Sequence, residues 1–291
     1  MSQETEQKYA LVTGASSGIG KAVSIELAQR GFKVFACARN FENMKDLVEY
    51  GIEPISLDVT NLEKVLEVRD LISNKTGGKL DLLYNNAGLS CTMPAIDVDD
   101  DSVYKCFAVN FFAPIRMTRE FAPLLIKAKG CVAFTGSLAG IAPFPWGSIY
   151  SASKAAIHQY CSVLHLELQP FGVKVLNIVT GGVHTNIADK RLLPATSHYY
   201  LPETLEAFEE RKKMSDKNHP MEPDVFARKV VDDMLSKSDP LNVYRGTKAT
   251  YVSTVVAWLP RSIIEFAFRI KFKLNPVFEA IRRRSTKEHI E

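Results

Sequence analysis

From residue 8 to about residue 176, short apolar runs alternate with longer stretches in which apolar residues recur every three or four positions. The runs at 9–13, 33–37, 52–57, 80–84, 131–135 and 173–178 have the length and near-continuous apolar character of buried strands. The stretches 20–30, 62–74, 102–126 and 151–168 carry a helical period and predict the helices between them. Alternation at this spacing builds βαβ units. Their right-handed crossovers give an α/β fold, a doubly wound parallel sheet of the Rossmann type covered on both faces. After Gly182 the pattern loosens into a polar, proline-punctuated stretch to about Pro223, and one further helical segment, 225–236, follows.

The end of the chain breaks this pattern. Residues 251–259 are nearly all apolar, and 261–274 read RSIIEFAFRIKFKL. At about 100° per residue, Arg261, Ser262, Glu265, Arg269 and Lys273 share one face and most of the aromatic and aliphatic residues share the other. The charges leave no apolar span of about 18–20 residues, so a membrane-crossing helix is not expected. An amphipathic basic tail of this kind fits a membrane interface. A helix packed over a substrate cleft or a dimer surface is the alternative. The expected division is one catalytic domain over 8–246 and a hydrophobic-basic extension over 247–291.

Composition changes the picture only through its distribution. The 291 residues carry a net charge of +3, yet the segment from Arg261 onward alone carries +4. The remainder is close to neutral, which excludes the broad basic footprint of a nucleic-acid binder. Five scattered cysteines without a Cys-x-x-Cys pair argue against a disulfide framework and against structural zinc, so no metal is expected. The polar, acid-bearing start, residues 1–8, resembles neither a secretory signal nor a transit peptide, so the catalytic part is expected to face the cytosol.

Candidate chemistry clusters at the strand ends. The first strand runs into Thr13-Gly14-Ala15-Ser16-Ser17-Gly18-Ile19-Gly20 and then a helix. Glycines there permit a tight turn and close approach of a pyrophosphate to the helix N-terminus. The second strand is followed by Arg39, where an NAD site would carry a carboxylate for the ribose 2′-hydroxyl. A missing acid and a present arginine suit a 2′-phosphate, hence NADPH. Tyr150 and Lys154 stand one helical turn apart, an arrangement in which an ammonium favours the phenolate. Ser137 precedes Tyr150 by thirteen residues, just past a predicted strand. Tyr244 and Lys248 repeat the spacing without that context. The same glycine turn also reads as Gly14-x-Ser16-x-Gly18, a nucleophile elbow, which keeps a lipase or esterase with His184 or His219 as the alternative of another class.

These motifs, with Asp58 after the third strand, Asn85-Asn86-Ala87-Gly88 after the fourth, and Asn110, resemble the short-chain dehydrogenase/reductases over roughly residues 8–245. The resemblance implies an oxidoreductase acting on alcohol or ketone groups. Ser137 then polarises the substrate carbonyl, Tyr150 exchanges its proton, and Lys154 holds the nicotinamide ribose. Asn110 holds a water leading to solvent. Gly14, Ser16, Ser17, Gly18, Ile19, Gly20, Arg39, Asp58, Asn86, Val183 and Thr185 complete the implied cofactor site. The family also implies pairing of Tyr150-bearing helices between subunits. One departure is Thr180-Gly181-Gly182, where the family has Pro-Gly.

Within the family, the stretches KLDLLYNNAG, FTGSLAG and GSIYSASKAAIHQY, ADKR, NVYRGT and the tail are similar to fungal members that reduce the ketone of 1-acyl-dihydroxyacetone phosphate to lysophosphatidate. That likeness implies a lipid-like ketone substrate and a place on the cytosolic face of the endoplasmic reticulum or on lipid droplets. Another lipid-like ketone, steroid, 3-ketoacyl or retinoid, is the alternative. His184, Lys190 and Arg191 offer basic groups for an anionic substrate, or form a merely solvated loop. His158 and His165 are expected to be solvated or at an interface rather than to act as ligands.

Overall fold

The structure, a computed structural model, describes residues 6–189, 191–214 and 219–288. Strands β1 (Lys8–Thr13), β2 (Phe32–Ala38), β3 (Glu53–Ser56), β4 (Leu82–Asn85), β5 (Cys131–Ser137), β6 (Lys174–Thr180) and β7 (Asn242–Arg245) form a parallel sheet in the order β3-β2-β1-β4-β5-β6-β7. Chain direction along the sheet reverses between β1 and β4, and the crevice at such a switch point is where ligands bind in these folds.

Helices cover both faces, as continuous apolar strands require. On one side, α1 (Gly18–Gln29) lies under α7 (Pro223–Leu235). Val23 and Leu27 meet Phe226, Val230 and Val231 over Val12, Ala36 and Tyr84. On the other side are α2 (Leu62–Thr76), α4 (Ala113–Ala128) and α5 (Ser148–Leu168). Val65, Phe121, Leu125, Ile157 and Cys161 close over Leu11, Phe35, Leu83 and Val132 there.

The single helix expected over 102–126 is divided. The first part, α3 (Asp100–Phe107), is capped by the Asp99 carboxylate on the Ser102 N–H and gives way to a π turn, Ala108–Phe112, before α4 begins. Pro114 causes part of this, because it cannot supply the N–H that would close the helical bond on the Asn110 carbonyl. Among the elements without a sequence expectation are α6 (Pro202–Lys212), inside the loosened stretch, and β7.

Beyond β7 come α8 (Ala249–Trp258), α9 (Arg261–Lys271) and α10 (Leu274–Glu288). They fold back onto the body. Phe268 and Phe272 meet Phe144 with ring centroids 5.1 and 6.1 Å apart, and Lys273 pairs with Glu206 at 2.7 Å. The boundary at 246/247 therefore divides the chain but not the space, since Thr247, Lys248, Val252 and Lys271 line the same cleft as Tyr150.

Candidate active site

The carboxyl ends of the strands open into a cleft of about 880 Å³ that runs from Arg39 to Lys271. At one end, Gly14 and Gly18 hold φ of +66° and +53°, conformations that cost L-residues strain. A Cβ on Gly14 would stand 2.8 Å from the Ala87 Cα, and one on Gly18 would stand 3.2 Å from the Thr185 side chain. Gly20 serves the same turn without lining the cleft, for its Cβ would overlap the Gly14 carbonyl oxygen. Ser17 caps α1 in extended conformation with no side-chain bond to the helix, so the first-turn N–H groups remain available to an anion.

Ser16, Ser17, Gly18, Ile19, Arg39, Asp58 and Asn86 line this end. Asn86 braces the turn by donating to the carbonyls of Thr13 at 3.0 Å and Gly14 at 3.3 Å. Asp58 accepts from the Thr60 N–H at 2.9 Å and the Thr60 hydroxyl at 2.7 Å. Burial opposes its charge, but those bonds and the nearby Arg39 hold the carboxyl below its ordinary range. No acid stands at the end of β2, where Ala38 is followed by Arg39 and Asn40. The glycine cradle and this basic end fit a dinucleotide bearing a 2′-phosphate.

At the other end Ser137 closes β5 and Tyr150 stands in the first turn of α5, their hydroxyls hydrogen-bonded to each other. Lys154, one turn on and 4% exposed, donates to the Thr135 carbonyl at 2.8 Å and lies 5.7 Å from the centre of the Tyr150 ring. Its burial pushes the ammonium down to about 8. The phenol moves opposite to the sequence expectation. Burial pushes its pKa up, while the Ser137 bond and the charge of Arg211 act against that rise. Desolvation of the phenolate outweighs its neighbours because Lys154 is itself desolvated and turned toward Thr135.

Asn110, 1% exposed, lies behind the cleft rather than in it. Its amide donates to the Leu89 carbonyl at 2.9 Å and the Ser153 hydroxyl at 3.0 Å, and its Oδ1 accepts from the Leu89 N–H at 2.8 Å. These bonds commit the Asn110 side chain to Leu89 and Ser153 rather than to the cleft.

His158 overturns the expectation of a solvated or interface residue. It follows Lys154 by one turn, and its Nε2 accepts the Ser137 N–H at 3.1 Å. A Cβ on Gly136 would stand 2.6 Å from that nitrogen, and one on Gly140 2.8 Å from the ring carbon beside it, so both glycines make room for the imidazole. The signal was the spacing 150, 154, 158 on one helix face. His165, by contrast, lies 3.8 Å from Asp239 and 3.3 Å from the Val175 carbonyl.

The basic groups nominated after β6 are occupied elsewhere. Arg191 forks onto Asp189 at 2.6 Å and also reaches Ser102, while His184 faces Glu222 at 3.6 Å in the open. Lys190 lies outside the described residues. Cations do enter the cleft: besides Arg39 and Lys154, it is lined by Lys105, Arg211, Lys212, Lys248 and Lys271. Val183 and Thr185 line it as well. The departure at Thr180-Gly181-Gly182 has a structural counterpart: Gly181 N–H donates to the Arg245 carbonyl at 2.8 Å, and Gly182 exchanges bonds with Thr247 at 3.0 and 2.9 Å. The hydrolase reading finds no support, since no described hydrogen bond joins Ser16 to a histidine, and His219 offers its carbonyl to Thr247.

A profile of the short chain dehydrogenase family matches residues 8–194. The chain is 52% identical over 285 residues, 96% of either chain, to a Saccharomyces cerevisiae protein named NADPH-dependent 1-acyldihydroxyacetone phosphate reductase. It is 40% identical over 227 residues, 78% of this chain and 76% of the other, to a Schizosaccharomyces pombe protein of the same name. Among solved structures, a short-chain dehydrogenase from Streptomyces avermitilis matches with a TM-score of 0.76 at 28% identity, covering 96% of this chain and 98% of that one.

Proposed function

The chain belongs to the short-chain dehydrogenase family, and from that premise we propose that it is an NADPH-dependent reductase acting on 1-acyl-dihydroxyacetone phosphate, forming 1-acylglycerol 3-phosphate. The observation that carries this reading is end-to-end likeness to the Saccharomyces cerevisiae reductase, tail included. NADPH supplies the hydride when bound; the protein's share is polarisation and proton transfer. Ser137 donates to the ketone oxygen, held in place through its own N–H on His158. Tyr150 gives its proton to that oxygen as the alkoxide forms, which suits a phenol kept protonated by burial. Lys154 and a water at Asn110 return the proton from solvent.

Gly14, Ser16, Ser17, Gly18 and Ile19 would hold the pyrophosphate, Arg39 the 2′-phosphate, Asp58 and Asn86 the adenosine side, and Val183 and Thr185 the nicotinamide side. A lipid product and a tail with exposed aromatics favour the cytosolic face of the endoplasmic reticulum or a lipid droplet as the place of work. Among the described residues no helix is long and apolar enough to cross a membrane, so the proposed attachment is interfacial.

Replacement Tyr150→Phe tests the chemistry. The expected kcat for NADPH oxidation with 1-acyl-dihydroxyacetone phosphate falls by at least about a hundredfold. NADPH affinity, read by fluorescence, stays near that of the parent. Turnover at the parent's rate overturns the assignment of Tyr150.

A further inference from the structure

Arg211, next to last in α6, is largely buried at the cleft wall. Its guanidinium lies beside the rings of Phe144 and Phe272, 5.6 and 5.9 Å from their centres. Nε donates to the Pro145 carbonyl at 3.1 Å, which fixes the orientation of the fork. Nη2 reaches the start of α5, 3.5 Å from where a Cβ on Gly147 would stand, less than one turn ahead of Tyr150. Among the described residues no carboxylate pairs with it. Arg30, Arg69, Arg191 and Arg245 each meet an acid instead.

Two further cations converge on the same space. Lys271 ends α9, and Lys248 sits at φ 61° in the turn between β7 and α8; both line the cleft. Burial, then the charges of Lys248 and Arg211, push the Lys271 ammonium down, and burial pushes Arg211 down to about 10. Lys271 and Arg211 therefore stand within electrostatic reach of each other at the cleft wall.

We propose that Arg211, with Lys271, binds the phosphate monoester of the substrate, so that the C-terminal tail completes the active site. This rests on the reading of the substrate as an acylated ketose phosphate and names the groups that select it. In such a molecule the phosphorus is three bonds from the carbonyl carbon, so its cradle must adjoin Tyr150, as Arg211 does. A planar fork offers two parallel N–H bonds to phosphate oxygens, and the Lys271 ammonium adds charge to the remaining oxygen. The two neighbouring rings and the Pro145 carbonyl hold the fork ready without neutralising it.

The test uses the full chain loaded with NADPH and sn-glycerol 3-phosphate as the calorimetric probe. Arg211→Gln is expected to weaken binding at least tenfold and Lys271→Gln at least threefold. Wild-type protein that fails to bind the probe at millimolar concentrations overturns the proposal, as do variants that bind it like wild type. Should Arg211→Gln not fold, Lys271→Gln decides by the same criterion. A kinetic arm compares two substrates, the acylated ketose phosphate and the same acylated ketose without its phosphate, by the ratio of their kcat/KM values. Arg211→Gln should lower this ratio at least tenfold; an unchanged ratio means the cluster serves no substrate phosphate and overturns the proposal. A wild type that binds the probe through Arg211 yet does not reduce the acylated phosphate sinks the substrate reading and leaves the anion site standing.

Discussion

Ser137 is held from two sides. Its N–H donates to His158 Nε2 and its Oγ accepts the Ala139 N–H, both at 3.1 Å, which leaves the hydroxyl proton to point into the cleft. An Nε2 that accepts places the ring proton on Nδ1 and requires a neutral imidazole. Burial, reinforced by the Lys154 charge, keeps His158 neutral down to about 4, against an ordinary value of 6.5. Between those values the unfolded chain binds a proton that the folded chain does not. Stability is therefore full above about pH 6.5 and is lost as pH falls toward 4, by up to about 3 kcal/mol. His158→Gln should flatten this acid limb, so the gap in melting temperature between variant and parent narrows from pH 7 to pH 4.5. Parallel melting curves across that range would show that His158 does not titrate with folding. At this scale Arg39, Ser137, Tyr150 and Lys154 were readable from spacing and place in the predicted fold, and Asp58, Asn86 and Asn110 through the family resemblance. The role of His158 and the convergence of Arg211 with Lys271 were not, because both depend on which loops meet in space.

Between residues 8 and 180 the elements followed the apolar pattern, whereas the eleven-residue α6 was missed because its sequence, PETLEAFEERK, carries few apolar positions. The pattern missed β7, whose four residues carry too little period to register, and it joined α3 to α4 because a π turn leaves hydrophobic spacing almost unchanged. Tyr244 and Lys248 looked like an accidental copy of the catalytic pair. They lie instead in β7 and in the turn after it, and that turn is clamped to the end of β6. Gly181 permits the clamp, for a Cβ there would overlap the Thr247 carbonyl oxygen and approach the Ala249 N–H to 3.0 Å. Gly181→Ala should therefore separate β6 from β7 and cost about 2 kcal/mol or more, through overpacking against backbone that cannot yield. Urea unfolding measures this directly, and a midpoint equal to that of the parent would show that the turn has slack.

For the molecule as a whole, the question is what the surplus charge and the apolar tail do together. Part of the charge is tied inward: Lys273 meets Glu206, Arg283 approaches Glu203 at 3.6 Å, and Arg284 donates to the His198 carbonyl at 2.6 Å. Such surface contacts orient α10 more than they stabilise it. The apolar arc of α9 is likewise divided. Ile264 and Phe272 are buried against the body, while Ile263, Phe266 and Ile270 are 49–59% exposed, beside Trp258 at 83% and Tyr251 at 70% on the adjoining α8. One edge of the tail closes the cleft and the next edge faces solvent with aromatic side chains, an arrangement that would place the cleft mouth near a lipid surface. Changing Trp258, Phe266 and Ile270 together to Ser removes apolar area at about 25 cal/mol per Å² without touching cleft-lining residues. Flotation with phosphatidylcholine vesicles containing phosphatidylserine should drop at least tenfold for the triple variant. NADPH oxidation with a short, water-soluble ketone should persist. The parent's flotation should also weaken as salt rises, since the basic tail adds a screened attraction to anionic lipid. A parent that does not float, or a triple variant that floats as well as the parent, would show that these side chains make no membrane contact.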